Sequence, residues 1–294
     1  MKISVIVPTY KRPDLIERCL SSLAKQNFPK GDFEILVCGN SSDKQTAVVV
    51  NEFIQLNRGI NIRYLHQSCD TPSKARNLGI GKASGTTIAF TDDDCQPDDS
   101  WLDEIYKSFE SDDIYGAGGV TYTQKHDVTP LTSQIENNLD SSFPTCNVAY
   151  KKSVLDMAGG FDENFPATNE DVEIAWRIGA MGKIVHNPKI RVLHPPRRDS
   201  FSKQMKGVIN LEGEYLLWEK LPGIYRKNHI HPLYFLVVNY MFRLGLKRLI
   251  LSGKWLLKDP TVNIRLFAII LCQRLYLVCL LPYFIYRSFR RRHA

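Results

Sequence analysis

The stretch TTIAFTDDD, residues 86–94, decides the fold of this chain, because a β-rich run ends in it abruptly at three aspartates. Three similar β-rich runs precede it, at residues 2–7, 33–38 and 60–65. Between these runs lie residues 13–26, 43–56 and 72–83, whose apolar spacing and helix-start signals predict helices. Strands that alternate with helices of this length predict a mostly parallel sheet with right-handed crossovers and flanking helices.

Composition sets the broad class of the protein. The chain has 294 residues, of which 44% are hydrophobic, and this is enough for a large core plus an appendage. The seven cysteines are scattered without a Cys-x-x-Cys pair, which predicts a reduced, cytosolic protein and neither a disulfide framework nor a zinc site. Because Met1-Lys2 leads directly into the first β-rich run, we expect no secretory signal.

Charge is unevenly divided along the chain. From Tyr240 onward there are eleven Lys or Arg residues and one acid, so the tail carries 11 − 1 = +10 and residues 1–239 carry 7 − 10 = −3. A basic tail interleaved with Leu, Phe, Tyr and Ile favours an anionic membrane surface as its partner, and no nucleic acid. We therefore expect a catalytic domain over residues 1–222 and amphipathic, basic helices for membrane association over residues 223–294.

The tail contains two helical patterns. Residues 233–257 predict an amphipathic helix that places Arg243, Lys247, Lys254 and Lys258 on one face. Residues 266–286 are more apolar and nearly reach the roughly 20 residues that span a bilayer. Gln273-Arg274 at their middle and Pro282 favour a helix that lies in the membrane interface, since a central charge costs about 2.5–3.5 kcal/mol on insertion. A spanning helix, packing on the catalytic domain and a homo-oligomer are the alternatives.

Polar clusters follow three of the predicted strands. They are residues 9–12 after the first strand, residues 39–43 after the second and Asp92-Asp93-Asp94 after the fourth. Ligands of open parallel sheets bind outside the carboxyl ends of the strands, so these clusters mark the candidate site. The chain has no Gly-x-Gly-x-x-Gly after its first strand and no Gly-Lys-Ser/Thr loop, so other groups must hold any phosphate.

Three acidic or basic positions could carry chemistry. The aspartate triplet offers hard oxygen ligands for Mg²⁺ or Mn²⁺, or else caps a following helix. Glu170-Asp171 begins an amphipathic run, where a carboxylate could act as a general base or merely suit the helix dipole. His194 follows a short β-like run and is either structural or a ligand that suits Mn²⁺ better than Mg²⁺.

Taken together, these pieces resemble family 2 glycosyltransferases with the GT-A fold, over roughly residues 1–195. The resemblance rests on six motifs in the family's order and spacing: SVIVPTY at residues 4–10, ARNLGI at 75–80, ASG at 83–85 leading into AFTDDD at 89–94, CNVAY at 146–150, GGFDE at 159–163, and NED at 169–171 with Trp176-Arg177.

The resemblance implies roles for individual residues. Asp94 matches the family's direct metal ligand. Asp92 matches the residue that binds the sugar or the ribose of the donor. Asp171 matches the general base, and Glu170 is the alternative base. A divalent ion, Mn²⁺ or Mg²⁺, is implied on Asp94, Asp92 and His194. The implied donor-binding set is Pro8, Thr9, Tyr10, Arg12, Asn40, Arg76, Asp92 and Asp93.

One departure from the family pattern concerns the nucleotide. The family commonly has two acids after the second strand, the second of which contacts a uridine or thymidine base, whereas this chain has Cys38 and Gly39. Asn40 or Asp43 is a candidate replacement. The Gln-x-x-Arg-Trp motif of processive synthases is also absent, which implies transfer of a single sugar.

The implied function is inverting, metal-dependent transfer of one sugar from a nucleotide-diphosphate sugar to an acceptor hydroxyl. The expected acceptor is a lipid-linked or cell-envelope glycan precursor at the cytoplasmic face of the cell membrane. A sugar nucleotidyltransferase is one alternative, although Pro8-Thr9-Tyr10 does not resemble its glycine-rich loop. A non-catalytic sugar- or membrane-binding protein is the other.

Overall fold

A computed structural model describes residues 1–124, 128, 132–133, 135–137, 143–166, 168–198, 210–228, 231–234 and 260–290. The chain divides into two compact units. The first contains residues 1–125 and 134–195, and the second contains residues 126–133 and 196–294. The functional boundary expected between residues 222 and 223 stays a prediction.

The first unit is built on an eight-stranded sheet with the strand order β3-β2-β1-β4-β8-β6-β9-β5. Strands β1 to β4 are mutually parallel where they pair, as are β6 and β9, while β8 and β5 run antiparallel to their neighbours. The mostly parallel α/β sheet expected from the sequence is therefore confirmed. The eight strands of this sheet are β1 (Ile3–Thr9), β2 (Phe33–Asn40), β3 (Asn61–Gln67), β4 (Thr87–Phe90), β5 (Gln96–Pro97), β6 (Ile114–Tyr122), β8 (Val148–Lys151) and β9 (Lys183–Leu193), whereas β7 (Thr132–Ser133) and β10 (Arg197–Arg198) belong to the second unit.

Helices cover both faces of this sheet. Alternate residues of β1 enter opposite cores, with Val5 and Val7 in one and Ile6 in the other. The first core contains residues of α1, α2 and α4, and the second contains residues of α3, α5 and α6. Burial on both faces explains why β1 and β2 are apolar without alternation. The helices are α1 (Pro13–Ala24), α2 (Lys44–Leu56), α3 (Pro72–Lys82), α4 (Trp101–Lys107), α5 (Lys152–Ala158) and α6 (Glu170–Gly179).

Among its described residues, the second unit is helical apart from the antiparallel pair of β7 and β10. Its described helices are α7 (Asn210–Lys220), α8 (Pro222–Asn228), α9 (Pro232–Tyr234) and α10 (Pro260–Arg290). Arg287 of α10 donates hydrogen bonds to Glu212 and Glu219 of α7, with an Nε–Oε1 distance of 2.6 Å to Glu219. Tyr215 stacks on Phe284 at a centroid distance of 4.8 Å. These contacts fasten α7 to the end of α10.

Helix α10 is longer than the pattern over residues 266–286 predicts, and it exposes apolar side chains. Phe267 and Leu275 are each 59% exposed, whereas Gln273 from the polar pair at its middle is buried. Residues Ile264–Phe289 are the one segment, among the residues described, that is long and apolar enough to cross a membrane, with a mean hydropathy of 2.0. The helix predicted over residues 233–257 lies outside the described residues beyond Tyr234.

Candidate active site

The carboxyl ends of β1 and β4 bring two of the predicted clusters together, because these strands are neighbours in the sheet. Thr9 Oγ1 donates a hydrogen bond of 2.8 Å to Asp93 Oδ2, and Arg12 Nη1 donates one of 2.8 Å to Asp93 Oδ1. Both oxygens of the buried Asp93 carboxylate therefore accept hydrogen bonds from the β1–α1 segment. This side chain fixes the aspartate triplet against the loop that follows β1.

The environment of Asp93 changes its titration. Burial raises the pKa of Asp93 to about 6, while the Arg12 guanidinium opposes that rise and the neighbouring Asp94 charge adds to it. Arg12 also lies 3.6 Å from Asp94 Oδ2. The Arg12 charge consequently partly neutralises two of the three aspartates.

Asp94, Cys95 and His194 form a buried group that could hold a metal ion. Each offers one ligand atom, and these atoms all lie within 4.8 Å of one another. Asp94 Oδ1 is 3.7 Å from His194 Nε2 and 3.8 Å from Cys95 Sγ. A carboxylate and an imidazole suit Mn²⁺, so these side chains fit the divalent ion that the resemblance implies. The resemblance implies Asp94 and His194 as metal ligands, whereas Cys95 is a member of this group that the sequence does not predict.

Local pairing explains how this group assembles. The two-residue strand β5 pairs with the end of β9, where Gln96 stands opposite Leu193. Cys95 and His194 directly adjoin these paired residues and so come into proximity. Asp92, also predicted as a metal ligand, is not a member of this group, and its Oδ1 instead accepts a hydrogen bond of 3.0 Å from Arg76 Nη2.

The predicted base region lies at the start of α6. Asn169, the N-cap residue, has a left-handed backbone with φ of 63° and makes no side-chain cap hydrogen bond. The buried Glu170 accepts a hydrogen bond of 2.8 Å from Arg76 Nη1. Asp171 Oδ1 accepts one of 2.9 Å from the Val172 N–H, and Asp171 forms no salt bridge within the described part of the chain.

The two acids of α6 therefore have different environments. Burial raises the pKa of Asp171 to about 6, the adjacent Glu170 charge raises it further, and Arg76 opposes the change. A carboxylate whose pKa lies near the working pH is suited to accept a proton from a hydroxyl. Since Arg76 pairs with Glu170, the geometry favours Asp171 as the base.

Arg76 joins the two acidic regions. Its side chain is 4% exposed, bridges Asp92 and Glu170, and lies with its guanidinium carbon 5.5 Å from the centroid of the Phe161 ring. Helix α3 packs so closely on β1 that a Cβ on Gly79 would lie only 2.7 Å from Ile6 Cγ2. This close packing holds Arg76 near the sheet. Glycine at position 79 thus permits the close approach of α3 to β1.

The loop after β2 holds the two residues considered as replacements for the missing acid. Asp43 accepts hydrogen bonds from the Lys11 and Thr46 N–H groups, so it caps α2 and ties down the loop after β1. Asn40 donates to the Cys69 carbonyl at 2.5 Å and accepts from the Ser42 N–H at 3.0 Å. Both side chains are engaged within the protein.

Gly39, which stands where the family commonly has its second acid, lies against the end of the Tyr64 side chain. A Cβ at this position would lie 2.2 Å from the hydroxyl oxygen of Tyr64. An acidic side chain cannot stand there unless the Tyr64 ring moves. Beside this loop, Tyr10 is 48% exposed at the end of β1, where its ring is accessible to a ligand, and Pro8 is partly buried.

The fold and the site define a GT-A glycosyltransferase. The sequence model of the family described as glycosyl transferase family 2 matches residues 4–161, which is more than half of the chain. The chain belongs to this family and is a glycosyltransferase enzyme. The expected family and enzyme class are thus confirmed, and they replace the nucleotidyltransferase and the non-catalytic alternatives.

Two curated relatives show the range of similar proteins. The chain is 31% identical to glycosyltransferase AglE of Haloferax volcanii over 117 residues, which are 40% of this chain and 38% of the relative. It is 38% identical to poly(ribitol-phosphate) beta-N-acetylglucosaminyltransferase TarS of Staphylococcus aureus over 94 residues, which are 32% of this chain and 16% of the relative. The matched part therefore spans well under half the length of either protein.

A solved structure supports the fold. The mannosyltransferase PcManGT of Pyrobaculum calidifontis, in complex with GDP-Man and Mn²⁺, superimposes with a TM-score of 0.66 at 17% identity. The similarity covers 94% of this chain and 87% of that one. The GT-A fold that the sequence predicts is confirmed by this similarity.

Proposed function

We propose that this enzyme transfers a single sugar, with inversion, from a nucleotide-diphosphate sugar to an acceptor hydroxyl in a divalent-metal-dependent reaction. The observation that carries the proposal is the arrangement at the carboxyl edge of the sheet. The buried Asp94–Cys95–His194 group follows β4, Asp171 begins α6, and Arg76 links their neighbours Asp92 and Glu170. This arrangement supports the proposal that a metal-binding group and a base share one site.

We assign donor binding to the part of the site around the Asp94–Cys95–His194 group. Asp94 and His194 would hold Mn²⁺ or Mg²⁺, which when bound would neutralise the diphosphate and stabilise the charge that it gains on leaving. We assign direct donor contacts to the more accessible Pro8, Tyr10, Arg12, Asn40 and Asp92, and we assign to the buried Thr9 and Asp93 the task of holding the donor-binding loop. The exposed Tyr10 ring is placed to stack on a nucleotide, and the GDP-Man and Mn²⁺ in the mannosyltransferase structure support this type of donor.

We assign proton transfer to Asp171. Its carboxylate takes the proton from the acceptor hydroxyl, and the oxygen attacks the anomeric carbon from the face opposite the diphosphate. A new carbon–oxygen bond forms as the bond to the diphosphate breaks, so that the configuration inverts. A positioned base of this kind contributes about 10²–10⁴-fold to the rate.

The acceptor and the location are assigned from the tail. The exposed apolar face of α10, with the basic residues around it, supports peripheral attachment to an anionic membrane at its cytoplasmic side. A lipid-linked or cell-envelope glycan precursor is the acceptor that such a location would supply. Residues 1–222 would then catalyse and residues 223–294 would attach the enzyme or mediate a homo-oligomer.

A donor panel tests the proposal. Purified enzyme is incubated with UDP-, GDP-, CDP- and dTDP-sugars in the presence of Mn²⁺, and both thermal stabilisation and slow donor hydrolysis are measured. We expect one nucleotide class to stabilise the enzyme and to be hydrolysed only with metal. The absence of stabilisation and hydrolysis with every donor would overturn the proposal.

A further inference from the structure

Arg76 occupies the centre of a three-element junction. It lies on α3, and its partners Asp92 and Glu170 are 16 and 94 residues away, after β4 and at the start of α6. The two hydrogen bonds leave from different terminal nitrogens of one planar guanidinium, at 3.0 Å and 2.8 Å. A rigid fork of this kind fixes both the distance and the orientation between two carboxylates.

The surroundings of Arg76 argue against contact with a nucleotide. The side chain is 4% exposed, both terminal nitrogens already donate to carboxylates, and the Phe161 ring lies 5.5 Å from the guanidinium carbon. Nε is buried and has no hydrogen-bond partner among the described residues. A diphosphate could replace either carboxylate on the terminal nitrogens only if that ion pair opened first. Such an opening is costly, because it leaves a carboxylate buried without its counter-charge.

We propose that Arg76 is a positioning residue that holds the loop of the aspartate triplet and the first turn of α6 in a fixed relation, and that it does not bind the donor. This inference rests on the proposed transfer reaction, since it assigns Asp92 to the donor side and Asp171 to the base. Arg76 therefore acts on the reaction only through Asp92 and Glu170.

The geometry explains why such a residue is needed. Five acids, Asp92, Asp93, Asp94, Glu170 and Asp171, belong to the regions that Arg12 and Arg76 join. Without Arg76, the Asp92 and Glu170 carboxylates would repel each other and the start of α6 would shift. A shift of about 1 Å at a reacting group can lower a rate by about 10²-fold.

A double-mutant cycle between Arg76→Gln and Glu170→Gln tests this inference. We expect each single variant to lower kcat of metal-dependent donor hydrolysis by about 10²-fold. The double variant should be no slower than either single one, because each change breaks the same bridge. The dissociation constant of the nucleoside diphosphate that binds in the donor panel, measured by calorimetry with Mn²⁺, should change less than about threefold.

Arg76→Lys separates charge from bridging. Lysine keeps the positive charge but offers one nitrogen, so it cannot hold both carboxylates in the geometry of the guanidinium. We expect Arg76→Lys to keep nucleotide affinity and to remain slow. If Arg76→Gln does not fold, the same double-mutant cycle is measured with Arg76→Lys and Glu170→Gln, and its coupling tests the inference in the same way.

Arg177 provides a matched control on the same helix as Glu170. It pairs with Glu173 at 2.7 Å and donates to the Gly160 carbonyl, so it also fastens α6 but touches neither Asp92 nor Glu170. Arg177→Gln should lower Tm and leave kcat within about threefold. A merely structural role for Arg76 predicts the same pattern in its own variants.

The outcomes distinguish the inference from the proposed function. Additive losses of kcat in the cycle would overturn the inference, as would a nucleotide affinity that falls more than tenfold in Arg76→Gln and returns in Arg76→Lys. Wild-type enzyme without nucleotide binding or donor turnover would instead overturn the proposed function itself.

Discussion

Helices α1 and α10 both carry apolar side chains at helical spacing, yet they use them in opposite ways. In α1, Ile16, Cys19, Leu20 and Leu23 are completely buried in the core of the first unit. In α10, Phe267, Leu271 and Leu275 are between 49% and 59% exposed. Apolar pattern alone therefore does not distinguish a helix that completes a core from one that leaves many of its apolar side chains exposed.

Charged residues show the same contrast between the two units. Around the β4 loop and α6, carboxylates are buried and grouped about Arg12 and Arg76 at the edge of a sheet. In the second unit, Arg287 with Glu212 and Glu219 joins two helices. We infer that changes in the first unit should alter chemistry and that changes on α10 should alter membrane binding.

The largest expected effect is the loss of kcat when the proposed base, Asp171, is replaced. Asp171→Asn should lower kcat by about 10²–10⁴-fold while donor binding with Mn²⁺ is retained, because only proton transfer is lost. Single-turnover transfer and calorimetric donor affinity measure the two quantities. Equal losses of affinity and turnover would indicate a structural carboxylate, and a larger effect of Glu170→Gln would move the base to that residue.

The next largest effect is the loss of metal-dependent donor binding when Asp94 is replaced. Asp94→Asn should weaken Mn²⁺-dependent donor binding by about 100-fold or more, since the carboxylate is the hard ligand of the buried group. Calorimetry with and without Mn²⁺ gives this change, and Asp99→Asn, at another aspartate in the loop after the triplet, is the control that should bind normally. Unchanged activity and unchanged Mn²⁺ dependence in Asp94→Asn would show that the site is misassigned.

The pH dependence of kcat/KM should report Asp171 together with Asp93, since burial raises the pKa of each carboxyl to about 6. The Asp171 pKa of about 6 in the free enzyme predicts that kcat/KM rises through pH 6 and falls roughly tenfold for each unit below it, because only the ionised carboxylate accepts a proton. Since this value exceeds the roughly 3.9 of an unfolded aspartate, the same residue lowers stability as the pH rises between the two values. A kcat/KM profile that stays flat from pH 5 to 8, with the enzyme folded throughout, would contradict the assignment.

The smallest expected effect concerns the membrane. Replacing both Leu271 and Leu275 by Glu should weaken binding to anionic vesicles by about tenfold, because two partly inserted apolar side chains are lost. Donor hydrolysis should not change. Leu56→Glu, at a leucine of α2 that is 85% exposed, is the matched control and should bind vesicles normally.

Salt and alkaline carbonate distinguish the ways of attachment. Wild-type protein should partly detach from anionic vesicles at high salt, since part of the attraction is electrostatic. Resistance to both salt and carbonate would instead indicate a spanning helix. If the wild-type protein does not bind anionic vesicles at low salt, the membrane assignment is refuted.

The first half of the sheet and much of the site could be predicted from sequence because they depend on local patterns. Strands β1 to β4 and helices α1 to α3 alternate regularly, and the carboxyl ends of neighbouring parallel strands must meet. That rule predicts that the polar clusters share one edge of the sheet, and the pairing of β1 with β4 then brings Thr9 and Arg12 to the aspartate triplet. The GT-A fold followed from the order of the motifs.

The rest depends on contacts between distant residues. The pairing of β5 with β9 places Cys95 beside His194, and a two-residue strand leaves no periodic signal. The clash between a residue-39 side chain and Tyr64 is likewise invisible in the sequence. The resemblance implies that Arg76 contacts the nucleotide, and no sequence pattern predicts its hydrogen bonds to Asp92 and Glu170.

The stereochemistry of donor hydrolysis tests the central claim most directly. Nuclear magnetic resonance can follow the anomeric proton of the sugar released from an α-linked nucleotide donor with Mn²⁺ present, before the free sugar mutarotates. Direct attack opposite the diphosphate, with Asp171 as base, predicts that the first sugar released is the β anomer. Release of the α anomer would contradict the account, because it requires retention of configuration at the anomeric carbon.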